Sequence, residues 1–328
     1  MASKGCAAVR TRLKLTPVSF RRNVGANSDG GDPQADADSR LNTGPETQLP
    51  GSGVTTATQS DIQARADRAI AERFTEARRE ARALPGYPGD IPQSLADAYR
   101  IQDEAIGLWG DAIAGWKLGR IPDAWAPRLG TGRLAGPIFS RQVLPGGPGE
   151  ASFPVFVGGF AAVEAEFILR LGADQPAGKT SWSLDEAAGL VEALIVGVEP
   201  AGSPLATINE LGPCVVVSDF GNNSGLILGP EVPDWRERLD AMTCETWIEG
   251  QRVGAGGAAT IPNGPLDSLR FLLELTEARG HRLKAGDLIS TGAATGIHDI
   301  VAGQSARIVF DGAGEIHVRA VARTAEGA

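Results

Sequence analysis

Two glutamates, Glu164 and Glu166, are separated by one residue in a segment where apolar side chains alternate with others. The run from Val163 to Leu171 has the two-residue period of a β-strand, which places both carboxylates on one face with α-carbons about 6.5 to 7 Å apart. Two such carboxylates can converge on one cation. The alternative is a solvated polar face, since acidic side chains are mostly exposed.

A third carboxylate, Glu199, follows the apolar run from Ala193 to Val198. A carboxylate at the end of a buried run is costly unless it is paired or bound to a metal. With the two strand glutamates it would form an all-oxygen site, which suits Mg²⁺ or Mn²⁺ better than Zn²⁺. The alternative is that Glu199 is a solvated residue that caps a loop.

Lys117 lies between small residues in the segment Gly115 to Gly119, so that backbone and ligand can approach closely. A lysine near a metal site can bind a substrate carboxylate or relay a proton, and we expect its pKa to be lowered by the cation and by burial. The alternative is an ordinary surface lysine.

Two polar segments can hold the oxygen atoms of a ligand. One runs from Asp219 to Gly225 after an apolar segment, and the other begins at Thr291 after a short apolar run. Both have the composition of ordinary turns, which is the alternative interpretation. The residues in them that we predict to bind substrate are Asp219, Asn222, Asn223, Ser224, Thr291 and Gly292.

The elements that must position these residues follow an α+β pattern, with helices gathered early and strands late. Capping pairs predict helix starts at Ser60, with Gln63 as its partner, at Ser94 and at Ser183. The helix after Ser183 is expected to extend past Leu190 through Val191 and Leu194. Another helix is predicted from Pro265 to Arg279, ended by Gly280. Residues 114–159 are predicted to be rich in loops. Strands are predicted at Val163 to Leu171, Cys214 to Ser218, a hairpin from Met242 to Val253, Asp287 to Ser290, Ala306 to Phe310 and Glu315 to Val321.

Composition limits the classes of partner. The net charge of −9 argues against a nucleic-acid partner, which requires a basic face. No apolar run reaches the roughly 18 residues of a membrane span. The three cysteines form no Cys-x-x-Cys pair, which fits a reducing compartment, and we expect a cytoplasmic protein.

The first part of the chain differs from the rest. Residues 1–58 begin with a basic stretch and continue with a segment rich in Gly, Ser, Asp and Thr, which cannot bury enough apolar surface to fold. We predict a disordered extension over 1–58 and a catalytic domain over 59–328. A transit peptide is the alternative, because such peptides are rich in Arg and poor in acids.

Five motifs, in order, resemble the 2-keto-4-pentenoate hydratase family, which lies within the fumarylacetoacetase superfamily. The likeness covers about residues 60 to 322 of the chain. The motifs are GWKLG at 115–119, VEAE at 163–166, VEPAGS at 198–203, DFGNNSG at 219–225 and GDLISTGA at 286–293.

The resemblance implies a mixed β-sheet roll of the fumarylacetoacetase C-terminal type with a helical N-terminal part. It implies that Mg²⁺ or Mn²⁺ is held by Glu164, Glu166 and Glu199. Lys117 matches the active-site lysine of the family, so we expect Lys117 and Glu164 to be catalytic and Lys117 also to bind substrate. The family also implies a homo-oligomer.

The implied activity is that of a hydro-lyase in the catabolism of aromatic compounds. It would hydrate 2-hydroxypenta-2,4-dienoate (2-keto-4-pentenoate), or a close analogue, to a 4-hydroxy-2-oxo acid. A 4-oxalocrotonate decarboxylase is one alternative, because the same electron sink stabilises the carbanion left when CO₂ departs. A non-catalytic partner subunit of the same fold is another. The hydrolase branch of the superfamily uses a histidine from its N-terminal half, whereas this chain has no histidine before His281.

Overall fold

The computed structural model describes residues 58–147 and 149–325. The α-helices of these residues are α1 (Gln59–Arg79), α2 (Leu95–Trp109), α3 (Ala126–Leu129), α4 (Leu184–Gly189), α5 (Pro213–Ser218), α6 (Trp235–Arg238) and α7 (Pro265–Arg279). The strands are β1 (Ile113–Arg120), β2 (Arg133–Phe139), β3 (Val143–Pro145), β4 (Ala151–Val155), β5 (Phe160–Leu171), β6 (Val191–Ser203), β7 (Leu226–Glu231), β8 (Thr243–Ile248), β9 (Gln251–Gly257), β10 (Leu288–Ser290), β11 (His298–Asp299), β12 (Ser305–Phe310) and β13 (Gly314–Ala322).

Two sheets organise these strands. The larger has the order β2-β1-β10-β5-β6-β7-β3, with β11 beside β5, and the smaller has the order β4-β13-β12-β8-β9. Most pairs are antiparallel, whereas β1–β10, β3–β7 and β4–β13 are parallel. The predicted α+β class with a mixed sheet is therefore confirmed.

The long antiparallel pair β5–β6 forms the centre of the larger sheet. The side chains of Val163, Phe167 and Leu169 enter the main apolar core, which also contains Phe310 of the smaller sheet and Leu272 of α7. Burial of these apolar side chains is the main favourable contribution to folding. The intervening residues of β5 face the other side of the sheet, where the two glutamates lie.

A second apolar core lies in the predicted helical N-terminal part. It joins Phe74 of α1, Ile101 of α2 and Val215 of α5 to Phe139 of β2. This core lies beside the turn that follows α5, since Phe220 belongs to it.

Several predicted elements are confirmed. Ser94 caps α2, with its side chain accepting a hydrogen bond from the Asp97 backbone. Helix α7 spans the predicted residues and ends at Gly280 in the left-handed conformation. The hairpin β8–β9 turns at Glu249 and Gly250, both of which have positive φ. Among the described residues, no helix is long and apolar enough to cross a membrane.

Two helix predictions are wrong in part. Helix α1 is capped by Thr58 with Asp61, two residues before the predicted pair, while Gln63 bonds the Asp67 side chain instead. Ser183 does cap α4 as predicted, but the helix stops at Gly189. The apolar residues Val191 and Leu194, which we expected in that helix, belong to β6.

Two strand predictions also need correction. The segment Cys214 to Ser218 is helical, because Gly212 has a φ of 101° and Pro213 occupies the first turn of α5. The pattern of a short apolar run alone cannot distinguish a buried helix from a buried strand. The stretch 114–159, predicted to be rich in loops, contains almost all of β1 and the strands β2, β3 and β4. Apart from Thr58, the predicted extension 1–58 lies outside the described residues.

Candidate metal centre

Three buried glutamates meet on one face of the larger sheet. Glu164 on β5 pairs directly with Glu199 on β6, and Glu166 lies two residues further along β5. One carboxylate oxygen from each lies within 4.8 Å of the others. Glu199 lies in the middle of β6, so the predicted position at the end of a buried run is wrong, although its burial is confirmed.

The carboxylates retain unsatisfied oxygens. Within the part of the chain that the structure describes, Glu164 Oε1, Glu166 Oε1 and Glu199 Oε2 have no hydrogen-bond partner. Buried polar atoms are normally paired, and like charges directly opposite across two strands are destabilising. One unpaired oxygen from each of three converging carboxylates fits a hard divalent cation.

Lys117 completes the charge pattern of the site. Its Nζ lies 3.2 Å from Glu199 Oε1 and 3.3 Å from Asn222 Oδ1, and its side chain is 4% exposed. The alternative of a surface lysine is therefore excluded. Three ionised carboxylates and one ammonium leave a formal charge of −2, which a divalent cation neutralises.

Burial changes the proton affinity of these groups. It raises the pKa of Glu164 to about 8, with Glu199 also contributing, and raises the pKa of Glu166 well above its ordinary value. Burial also raises the pKa of Glu199. Burial alone would lower the pKa of Lys117, but the three carboxylates raise it to about 12. The predicted lowering of the pKa of Lys117 is therefore wrong for the protein without a cation.

Three of the predicted turn residues contact the centre directly. The Asn223 side-chain amide donates to Glu199 Oε1 over 3.1 Å. The backbone N–H of Gly292 donates to Glu166 Oε2 over 2.8 Å. Asn222 accepts from Lys117, and its own amide group donates to Asn209 Oδ1 over 3.2 Å. These contacts orient ligand oxygens and the lysine, as neighbouring hydrogen bonds do in metal sites.

The other predicted residues take different positions. Both carboxylate oxygens of Asp219 are used internally, one by Arg78 and one by Ser203. Ser224 lines a separate cavity of about 380 Å³. Thr291 lines the same cavity as Lys117, and its hydroxyl donates to the Phe167 carbonyl over 2.7 Å.

A cavity of about 660 Å³ opens onto the centre. Its size is in the usual range for small-molecule sites. Its polar lining includes Lys117, Glu164, Asn222, Thr291 and Gly292, together with residues that we did not predict, among them Asn209, Arg120 and Arg133.

The two arginines of this lining are direct partners across β1 and β2. The guanidinium of Arg133 donates hydrogen bonds to the Asp267 carboxylate and to the Pro262 carbonyl. Among the described residues, Arg120 pairs only with the exposed Asp123. The pairing of β1 with β2 would have indicated these arginines, but we interpreted that stretch as loops.

Comparisons with known proteins connect this fold to solved enzymes. No family model matches the chain. A 4-oxalocrotonate decarboxylase from Pseudomonas putida is 26% identical over 264 residues, which cover 77% of this chain and 96% of that protein. Two structures of 4-oxalocrotonate decarboxylase from Pseudomonas putida G7 match this chain with a TM-score of 0.67 at 22% identity. One is complexed with calcium and acetate, and the other with magnesium and adipate. Each match covers 81% of this chain and 99% of the solved chain. This chain has the fumarylacetoacetase-type fold.

The fumarylacetoacetase-type fold confirms the architecture that the five motifs implied. The likeness is shown at the level of the fold, whereas the narrower likeness to the 2-keto-4-pentenoate hydratase family is not confirmed. The match to the decarboxylase extends over nearly the whole length of that protein, so it includes both the helical part and the sheets.

Proposed function

We propose that this chain is a divalent-metal-dependent enzyme that acts on a small 2-oxo or 2-hydroxydienoate acid. The observation that carries the proposal is the set of three buried carboxylates beside the buried Lys117, each with an oxygen that has no partner among the described residues. A structural ion cluster would not need a cavity, whereas Glu164 and Lys117 of this one line a cavity of about 660 Å³. Mg²⁺ or Mn²⁺ is the cation that such oxygen ligands favour.

The residues have distinct roles in this proposal. Glu164, Glu166 and Glu199 hold the cation, which when bound supplies Lewis-acid polarisation and a template for the C1 carboxylate and C2 oxygen of the substrate. Lys117 pairs with the substrate's negative charge and relays a proton, since its ammonium group lines the cavity beside the carboxylates. Asn223 and Gly292 orient Glu199 and Glu166.

Decarboxylation of 4-oxalocrotonate is the first candidate reaction. Loss of CO₂ leaves an electron pair that is conjugated through the alkene to the C2 oxygen, so the site must stabilise negative charge there and return a proton to carbon. The match over 96% of a 4-oxalocrotonate decarboxylase supports this reaction. Arg120 and Arg133 also give the cavity two cationic groups that suit the second carboxylate of such a diacid.

Hydration of 2-hydroxypenta-2,4-dienoate is the second candidate. Adding water across an alkene needs a proton acceptor and a proton donor in one site. Glu164 and Lys117 both line the cavity and supply such a pair, with the carboxylate as acceptor and the ammonium as donor.

The test is an absorbance assay on protein stripped of metal and then given Mg²⁺ or Mn²⁺. One sample contains 4-oxalocrotonate, with CO₂ release measured, and a second contains 2-hydroxypenta-2,4-dienoate. We expect turnover that requires the metal and is lost in Glu166→Gln and Lys117→Met. Glu192→Gln, an exposed glutamate on the same strand as Glu199, is the matched control and should keep full activity.

The outcomes separate the candidates. CO₂ release with no loss of the dienoate selects the decarboxylase, and the reverse selects the hydratase. No turnover of either substrate, with Mn²⁺ still bound, would reject both substrates and favour a non-catalytic subunit. Absence of Mn²⁺ binding would reject the proposed function itself.

Further expectations accompany this proposal. We propose that residues 59–328 form the catalytic domain, that the chain forms a homo-oligomer, and that it acts in the cytoplasm without a nucleic-acid or membrane partner. A chain beginning at residue 59 that keeps its activity supports the first. Size-exclusion chromatography with light scattering tests the second, because a monomer at assay concentration contradicts it.

A further inference from the structure

A strained turn carries the two asparagines of the site. Phe220, Gly221 and Asn222 have φ values of 54°, 65° and 55°, so three consecutive residues adopt the left-handed conformation. For non-glycine residues this conformation is unfavourable, and runs of it are rare. Such strain persists only where surrounding contacts enforce it, and it concentrates at functional sites.

One contact that enforces this conformation comes from helix α1. Arg78 is 1% exposed and donates from Nε to Asp219 Oδ1 over 2.5 Å. Its Nη atoms donate to the carbonyls of Asn223 over 3.1 Å, Gly202 over 2.9 Å and Asp219 over 3.3 Å. The guanidinium also lies 5.2 Å from the centre of the Phe220 ring. Arg78 therefore contacts the turn before, within and after its left-handed residues.

The same contacts join the turn to β6. Gly202 belongs to β6, as does Ser203, whose hydroxyl donates to the second oxygen of Asp219 over 2.6 Å. Glu199 lies on this strand only a few residues earlier. One guanidinium thus fixes the distance between the turn and the strand that bears a metal-site carboxylate.

A buried ion pair is weak evidence for stability, because the desolvation of both charges offsets much of their attraction. A hydrophobic pair of similar size would fill the space between α1 and the turn. Only a planar group with five donors, however, can satisfy two carbonyls of the turn, one of β6 and a carboxylate together. The specific geometry of these bonds therefore indicates positioning of the turn.

We propose that Arg78 is a positioning residue for the metal centre. It holds the turn 219–223 in the conformation that directs Asn222 to Lys117 and Asn223 to Glu199. This inference rests on the proposed function, since it assumes that the three glutamates bind a cation. It goes beyond that function by assigning a role in the site to the helical N-terminal part.

The test measures Mn²⁺ affinity by calorimetry or electron paramagnetic resonance on the full chain, without substrate. In Arg78→Met we expect Mn²⁺ affinity to fall about 10- to 100-fold, the usual effect of losing a residue that supports a metal ligand. In Arg78→Lys we expect a smaller loss, because an ammonium keeps some of the donors. In both variants kcat should fall more than KM rises, because Lys117 loses its orientation.

The control must separate positioning from loss of stability. Phe74→Leu changes a fully buried residue of the same helix without touching the polar contacts of the turn. It should lower Tm while leaving Mn²⁺ affinity unchanged, with all variants measured well below their Tm. Where Arg78→Met does not fold, Arg78→Lys against Phe74→Leu makes the same comparison.

Equal Mn²⁺ affinity in unmodified protein and in the Arg78 variants would overturn the inference and leave the proposed function intact. Affinity that falls equally in Phe74→Leu would also overturn it, since the effect would then follow stability. If the unmodified protein binds no Mn²⁺, the proposed function and this inference fall together.

Discussion

The individual carboxylates show how burial prepares a side chain for a cation. Glu164 and Glu166 face away from the apolar core and toward each other and Glu199, with little water to share their charge. Without a cation, burial raises the pKa of Glu164 to about 8 and that of Glu166 well above its ordinary value. A proton and a metal ion therefore compete for the same oxygens, and metal binding releases protons.

We therefore expect Mn²⁺ affinity to rise with pH through about 8, the pKa of Glu164, with a further contribution from Glu166, whose pKa is also raised. Below that pH a growing fraction of Glu164 is protonated, so each bound cation must displace a proton; above it the carboxylate is already free. Calorimetry in buffers of different ionisation enthalpy measures both the affinity and the protons released. Glu164→Gln should bind more weakly and with a shallower pH dependence. An affinity in the unmodified protein that is flat between about pH 6 and about pH 9 contradicts this linkage.

At the scale of elements, the site depends on how closely β2 approaches the strained turn. A Cβ added at Gly136 of β2 would lie 2.0 Å from the Phe220 carbonyl oxygen, which is backbone and cannot rotate away. Gly136→Ala should therefore displace the turn, destabilise the protein by about 1 to 3 kcal/mol, as overpacking does, and weaken Mn²⁺ binding. Thermal unfolding and Mn²⁺ titration measure the two effects.

Gly132→Ala is the matched control for this substitution. A Cβ at Gly132, just before the same strand, meets no atom within 4 Å. It should leave both Tm and Mn²⁺ affinity nearly unchanged. Identical behaviour of the two alanine variants would show that the close approach of β2 does not hold the turn.

The same elements show which parts of the site could be predicted from sequence. The shared face of Glu164 and Glu166 could be predicted because a two-residue period is a local pattern and their strand is long. Glu199 was recognised by burial, although its position within β6 was not. Arg78 gave no signal, because it lies 141 residues before the carboxylate it binds and only the packing of α1 brings them together. The segment Cys214 to Ser218 was misassigned because a run of four apolar residues and a serine fits a helix and a strand equally well.

At the scale of the whole molecule, the metal centre lies on the two central strands of the larger sheet. Strands β5 and β6 are central in the larger sheet, with β10 and β1 on one side and β7 and β3 on the other. Three carboxylates are buried on this pair with a single lysine ammonium beside them, which raises the pKa of Glu164 and of Glu166, and a divalent ion removes this cost of burial. Ligand binding to the folded state alone then stabilises the entire chain.

We expect the metal to raise Tm of the whole protein. At a free concentration about 100 times its Kd, a ligand that binds only the folded state adds about 2.7 kcal/mol, and for a domain of this size each kcal/mol raises Tm by about 2 to 4 °C. Mg²⁺ or Mn²⁺ added to stripped protein should therefore raise Tm by about 5 to 10 °C in differential scanning calorimetry. Glu166→Gln should lose most of this rise, because one ligand oxygen of the three becomes part of a neutral amide, whereas Glu192→Gln should keep it. A rise that persists in Glu166→Gln would place the stabilising ion elsewhere on the protein.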